Sequence, residues 1–336
     1  MNNNQNEAER FLKAIFQKSK ADSQFTGEAG IGSKYETKFF KTNDIKGMAS
    51  HALNIGSDGF FHLTTHDSKA AEQSARERKG DAFNGKFRGQ IRTSKQINAL
   101  WLDLDLADAN KDNGKKYPDA KTALAVLRKL PILPSIIVMS GTGYHVYWLT
   151  TESISAQENL DLPRKWTEVL REAFMGYDLD SVHDCARILR VPGTTNKDKK
   201  VEIVYLDENV RYSLEEIEYL VKDVPEKQFI SYNGGASNVV IDPKNKPSDE
   251  KMKELVKDSN FAKVFFKTFK YKLENSHSNT DWNLALMTIK LGWEDQDIVD
   301  LLIYCRQCNN EATHEHNTNK YLRTLSRARS HLENQK

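Results

Sequence analysis

The chain has 336 residues, 38% hydrophobic and 29% charged, with 49 Lys and Arg against 47 Asp and Glu for a net charge of +2; these are the proportions of a soluble protein of one large domain or two ordinary ones. No apolar run approaches the eighteen residues of a membrane span, which excludes a membrane-spanning helix, and the Asn-rich start lacks the regions of a signal peptide. Three cysteines, Cys185, Cys305 and Cys308, make no disulfide framework, so a reducing, cytoplasmic setting without membrane partners is expected.

In chain order, residues 7–20 carry Phe11, Leu12, Ile15 and Phe16 at helical spacing and predict a short amphipathic helix. Gly56 to Gly59 is a turn, and the aromatic and β-branched run from Phe60 to Thr65 is a strand. Residues 66–95 are polar, rich in Lys and Arg and punctuated by Gly80, Gly85 and Gly89, which predicts loop and short helix. The near-neutral total charge hides three basic runs, Arg76 to Lys79, Lys86 to Lys95 and Arg187 to Lys200, any of which could meet phosphate.

Ala99 to Leu106 (ALWLDLDL) is the most informative stretch. Read as a strand, it puts Leu100, Leu102, Leu104 and Leu106 on one face, and Trp101, Asp103 and Asp105 on the other. The two acids then project together with Cα atoms roughly 6.5–7 Å apart. Their mutual repulsion is most simply relieved by a divalent cation.

A charged loop, 108–119, precedes a helix over Ala120–Leu130 that stops before Pro131. Residues 134–149 read as strand, Gly turn, strand; the turn, Ser140-Gly-Thr-Gly-Tyr-His145, lets backbone approach a ligand through Gly141 and Gly143 while Ser140 and His145 point at it. A crossover helix between the acidic strand and this unit brings them together in one sheet. A helix is expected over Ala156–Phe174, a strand over Val201–Tyr205 and a helix over Leu214–Val221. Between them, residues 178–200 offer a third carboxylate (Asp180 or Asp184), then Arg187 and Arg190, three apart and expected on one helical face, then Asn196 and Lys197. Turn formers mark 226–250 as a linker between a domain over 1–225 and a helical one over 251–336, where Ser278 to Asp281 is a plausible cap for a helix over Trp282–Leu291.

Three acids, a histidine and clustered arginines are the inventory of metal-assisted nucleotidyl transfer. At Leu102-Asp-Leu-Asp105, Ser140-Gly-Thr-Gly-Tyr-His145, and Asp180 through Arg187-Ile-Leu-Arg-Val-Pro-Gly-Thr-Thr-Asn196, in that order, the sequence resembles the archaeo-eukaryotic primase superfamily, in particular primase-polymerases of plasmids, phages and other mobile elements. The resemblance covers roughly residues 60–205, and the tail is similar to the helical primase module often found behind such domains. It implies an α+β, RRM-like catalytic domain with a mixed, largely antiparallel sheet, followed by a small all-α domain. It implies that Asp103, Asp105 and Asp180 or Asp184 bind Mg²⁺ or Mn²⁺, Asp180 being preferred because it follows an apolar residue. His145 and Ser140, with Arg187 or Arg190, would contact the phosphates of an NTP or dNTP. The implied activity is primer synthesis on a single-stranded DNA template. No G-x-x-x-x-G-K-[ST] occurs in the sequence, so unwinding would come from a helicase in trans or from a missing part of a longer protein.

Three rivals are weaker. A zinc site could use only Cys305 and Cys308 with His314 and His316, and the residues before them read as continuous helix. A nicking initiator needs two histidines flanking one residue, and His145-Val-Tyr147 has one. A catalytically silent nucleic-acid-binding protein on the same fold would have no use for three carboxylates facing one cleft.

Overall fold

A computed structural model describes residues 3–17, 27–107, 115–225, 239–240, 242, 244, 246–268, 277–311, 313 and 318–333. The chain divides into two compact units, 1–111 with 115–227 and 112–114 with 228–336.

The first unit is built on β1 (Glu28–Gly32), β2 (Thr37–Phe40), β3 (Phe60–His66), β4 (Ser94–Asp105), β5 (Ile136–Met139), β6 (Gly143–Ser155), β7 (Ile188–Arg190), β8 (Thr195–Asn196), β9 (Lys199–Lys200), β10 (Glu202–Leu206) and β11 (Arg211–Tyr212). Its helices are α1 (Asn3–Phe16), α2 (Ile45–Ile55), α3 (Ser68–Lys79), α4 (Ala120–Leu127), α5 (Leu162–Ala173) and α6 (Leu214–Val221). The main sheet runs β10-β5-β6-β4-β3-β1-β2, with β7 added to β3 and β11 to β6. Among the described pairings only β11 with β6 is parallel, so the fold is α+β with a mixed, largely antiparallel sheet. The α4 crossover returns β5 parallel to β4, and the hairpin strand β6 fills the place between them.

β4 and β6 are the longest strands and lie side by side at the centre. The Leu100, Leu102 and Leu104 face is buried, and Trp148, opposite Leu100, meets Trp166 of α5 edge-to-face at 4.9 Å. The other face is also covered over its first half: Trp101 lies opposite Tyr147, whose ring contacts Phe11 of α1 and Phe61 of β3. That cover ends before Asp103 and Asp105, both half-buried. A strand apolar on both faces at one end and acidic on one face at the other makes a rigid mount for two carboxylates.

The helix expected within 66–95 is present as α3 over 68–79, started by the Asp67 carboxylate accepting from the Ala70 amide at 2.9 Å. Several other sequence expectations are corrected. β6 runs on to Ser155, so α5 begins only at Leu162, with Pro163 in its first turn, rather than at Ala156. Arg187 and Arg190 do not share a helical face: Arg187 ends a turn and Arg190 lies in β7, which adds to β3. The Asp184 side chain accepts from Ala186 N at 3.1 Å in a turn closed by Arg187 N to Asp184 O at 2.9 Å.

Two buried histidines beside the sheet's acidic strand form a polar chain. His62 Nε2 meets Thr37 Oγ1 at 3.1 Å, His62 Nδ1 meets His66 Nε2 at 3.1 Å, and His66 Nδ1 meets Thr93 Oγ1 at 3.2 Å. Two facing ring nitrogens can share one proton but not two. Burial pushes His66 down from 6.5 to about 4 and His62 well below 6.5. The unfolded chain therefore binds more protons than the folded one between about pH 4 and 6.5, so stability rises with pH through that window and is fully present above it. A displacement from 6.5 to about 4 at His66 is worth about 3 kcal/mol. The thermal midpoint is expected to fall steadily from pH 7 to 4.5, and less so in His66→Gln; a midpoint level across that range would refute this.

The second unit contains α7 (Asp249–Leu255), α8 (Phe261–Phe265), α9 (His277–Lys290), α10 (Asp295–Cys308) and α11 (Thr318–Glu333). Its own core gathers Leu284, Leu301, Leu302 and Tyr321, and a buried ion pair joins Arg306 to Asp281. Ser278 to Asp281 lie inside the first turn of α9 rather than capping it. Among the described residues no helix is long and apolar enough to cross a membrane.

Candidate active site

The register of β4 and β6 assembles the first part of the site. Asp103 lies directly opposite His145, and Asp105 opposite Gly143. His145 Nε2 is 3.8 Å from Asp103 Oδ1. Burial and then the Arg190 charge push His145 down to about 3, so the imidazole is neutral and this contact is not an ion pair.

Gly143 permits this register. A Cβ there would stand 2.2 Å from Leu104 O, so no other residue fits without parting the two strands. Its carbonyl accepts from both Ser140 N, at 2.8 Å, and Ser140 Oγ, at 3.0 Å. The Ser140 hydroxyl is thus buried and bonded within its own turn instead of pointing at a ligand. Gly141, at φ +92°, lies against the β8–β9 hairpin, with Asn196 Nδ2 donating to Ser140 O at 2.9 Å. Asn196 therefore holds the glycine turn, and exposed Lys197 sits in the hairpin bend at φ 58°. Gly143→Ala is expected to lower the thermal midpoint by several degrees, a cost of about 1–3 kcal/mol. An unchanged midpoint would show that the strands yield there.

Arg190 carries the second part. Its guanidinium lies 4.8 Å over the Phe60 ring, and its charge acts on His145 and is acted on by Asp103 and Asp58. Arg187 is paired to Asp184 at 2.9 Å. Arg88, which the sequence reading did not single out by name, lies near the Arg187–Asp184 pair: burial lowers its pKa, Asp184 raises it and Arg187 lowers it again. The Nε atoms of Arg88, Arg187 and Arg190, Nδ1 of His145 and the Tyr147 hydroxyl are all buried without a hydrogen-bond partner. Buried polar atoms are rarely left so, and donors of this kind call for anionic oxygens. Burial, then Asp103, holds the Tyr147 hydroxyl in its protonated form.

The candidate third acids lie on a segment tied to the acidic face, since Trp101 Nε1 of β4 donates to Val182 O at 2.6 Å. Asp180 is ion-paired with Lys115, and Asp184 with Arg187. Among the described residues no three His, Cys, Asp or Glu side chains gather as a ready cation cage. Asp103 and Asp105 nevertheless fit one Mg²⁺ or Mn²⁺, because hard cations of this class are commonly held by one or two carboxylates with substrate phosphates completing the shell. In the second unit, Cys305 is buried with Sγ 3.4 Å from Phe265 O, Cys308 is exposed, and His314 and His316 lie outside the described residues.

No protein-family model matches the chain. A stretch of 135 residues, 38% of the chain, is 30% identical to a replication protein of Clostridium perfringens, and it spans 31% of that protein. The chain thus spans about a third of the length of the curated relative it matches. Among solved structures it is similar to the archaeo-eukaryotic primase domain of a cyanophage S-2L primase-polymerase, at 12% identity and a TM-score of 0.38 over 66% of this chain and 97% of that one. It is also similar to the primase RepB′, at 12% identity and 0.37 over 97% and 94%, and to the RepB′ catalytic domain in complex with initiator DNA, at 12% and 0.35 over 64% and 92%. At that identity and those scores the likeness assigns neither an activity nor a site residue to this chain.

Proposed function

We propose that the chain is a primase-polymerase of the archaeo-eukaryotic type, acting in replication of a mobile element, which joins nucleoside triphosphates on a single-stranded DNA template. The observation that carries the reading is two carboxylates on one strand with a buried neutral imidazole directly across the ladder and, acting on both, the Arg190 guanidinium, whose Nε lacks an acceptor. In this reading Asp103 and Asp105 hold Mg²⁺ or Mn²⁺, which supplies charge stabilisation to the triphosphate and acidifies the attacking hydroxyl when bound. Arg88, Arg187 and Arg190 take the phosphate charge. His145, having one N–H to give while neutral, donates from Nδ1 to a phosphate oxygen. Asp180 or Asp184 completes the acidic set on release from Lys115 or Arg187.

Those two ion pairs favour a second reading, a nucleic-acid-binding replication protein without catalysis on the same fold. Incorporation of labelled NTPs and dNTPs on unprimed single-stranded DNA, with Mg²⁺ and with Mn²⁺, separates them. Product under either metal supports the enzyme; none under both, from folded protein that still binds DNA, leaves the binding module.

A further inference from the structure

The basic run Arg76 to Lys79 and the start of the run at Lys86 remain outside the site just described, and the structure gives them a shared surface. The loop after α3 folds back against the β1–β2 hairpin at the sheet edge. Thr37 N donates to Phe87 O at 2.9 Å, Arg88 donates to Lys34 O at 2.7 Å, and Lys79 Nζ donates to Lys86 O at 2.7 Å. These bonds fix two half-buried or exposed rings among cations. Tyr35, at the hairpin tip, is 70% exposed with Lys34 Nζ 5.0 Å from its ring. Phe83 has Arg76 at 4.5 Å and Lys79 at 5.7 Å over its ring. Phe39 of the hairpin and Phe87 of the loop stack at 5.8 Å and help hold the two together. A tyrosine so exposed at a tight hairpin tip contributes little to the core.

Lys86 is paired with Glu36 at 3.4 Å and Arg76 with Glu72 at 2.6 Å, both pairs solvent-exposed. We propose that Tyr35, Phe83 and the cations around them form a platform for single-stranded polynucleotide, on which bases stack while Lys34, together with Lys86 and Arg76 in exchange for these carboxylates, meets the phosphates. Rings presented singly among cations suit unstacked bases and not a duplex, whose bases are already stacked. Arg88 belongs both to this loop and to the group with Asp184 and Arg187, so the platform adjoins that group. The identification of the strand as a template rests on the primase-polymerase reading; the binding surface itself does not.

The test is fluorescence anisotropy of labelled dT and rU oligonucleotides across a salt series, with the duplex as competitor. Tyr35→Ala with Phe83→Ala is expected to weaken single-strand binding 10- to 100-fold. Lys34→Gln with Lys86→Gln is expected to flatten the slope of log affinity against log salt by about one to two. Nucleoside triphosphate affinity should stay within twofold in both. Tyr35→Ala alone, at an exposed position, gives a variant whose folding is not in question, and a loss of several-fold is expected there. Single-strand affinity within twofold of wild type in every variant, no binding by wild type, or equal competition by duplex would each overturn the platform. Persistent dependence on Tyr35 and Phe83 in a wild type that synthesises nothing would retain the platform and remove the enzymatic reading, whereas synthesis without that dependence would do the reverse. The dT and rU arms decide which polynucleotide is preferred.

Discussion

Asp103→Asn is expected to lose on the order of 10³-fold or more in nucleotide incorporation on unprimed single-stranded DNA, with its thermal midpoint held within a few degrees. The change keeps the shape of the side chain and removes the negative charge that a divalent cation needs, and loss of about 4 kcal/mol of transition-state stabilisation corresponds to that factor. Asp103 is half-buried at the end of a strand whose remaining length is fixed by apolar contacts, so the fold does not depend on its charge. Asp105→Asn should behave alike. Single-stranded DNA binding should survive both, because neither carboxylate belongs to a cationic surface. Retention of activity within tenfold in both variants would remove the carboxylate pair from the chemistry.

Arg190→Ala is expected to raise the KM for nucleoside triphosphate by roughly 10- to 100-fold, with a smaller effect on kcat. A charge-assisted hydrogen bond is worth about 1.5–3 kcal/mol, and this guanidinium has a buried Nε without an acceptor beside a neutral imidazole. Arg190→Lys should recover only part of the loss, since an ammonium cannot present the planar fork or lie flat on the Phe60 ring. Initial-rate kinetics at saturating template would read this directly. An unchanged KM in the alanine variant would exclude Arg190 from phosphate recognition.

The alternation in Ala99 to Leu106 was legible because a strand has a period of two, and the structure places Trp101, Asp103 and Asp105 on one face. The pairing of that strand with the one bearing His145 followed from the crossover helix and the glycine turn. The setting of the arginines did not follow. A spacing of three suits a helix as well as a loop entering a short strand, and β7 exists only because β3, more than a hundred residues earlier, offers it an edge. Arg88 has no local signature either, since what distinguishes it is the approach of Asp184 and Arg187 from far along the chain. β1 was hidden by its glycines: Gly30 lies where a Cβ would come within 2.7 Å of the His62 ring, so a strand that looks like a turn in sequence is shaped by a histidine it faces. The ligand contact expected of Ser140 was displaced by backbone needs, and Asn196 is used in the same turn, because a tight turn takes up nearby polar side chains first.

The acids stand on the innermost strand of the sheet, whereas the β1–β2 hairpin stands at its rim. Opening free energies generally fall from centre to rim. If the chain acts as proposed, fluctuation at the margin would let a polymer be taken up, advanced or released while the spacing of the two carboxylates stays fixed, so that traffic and chemistry would proceed on separate timescales within one sheet.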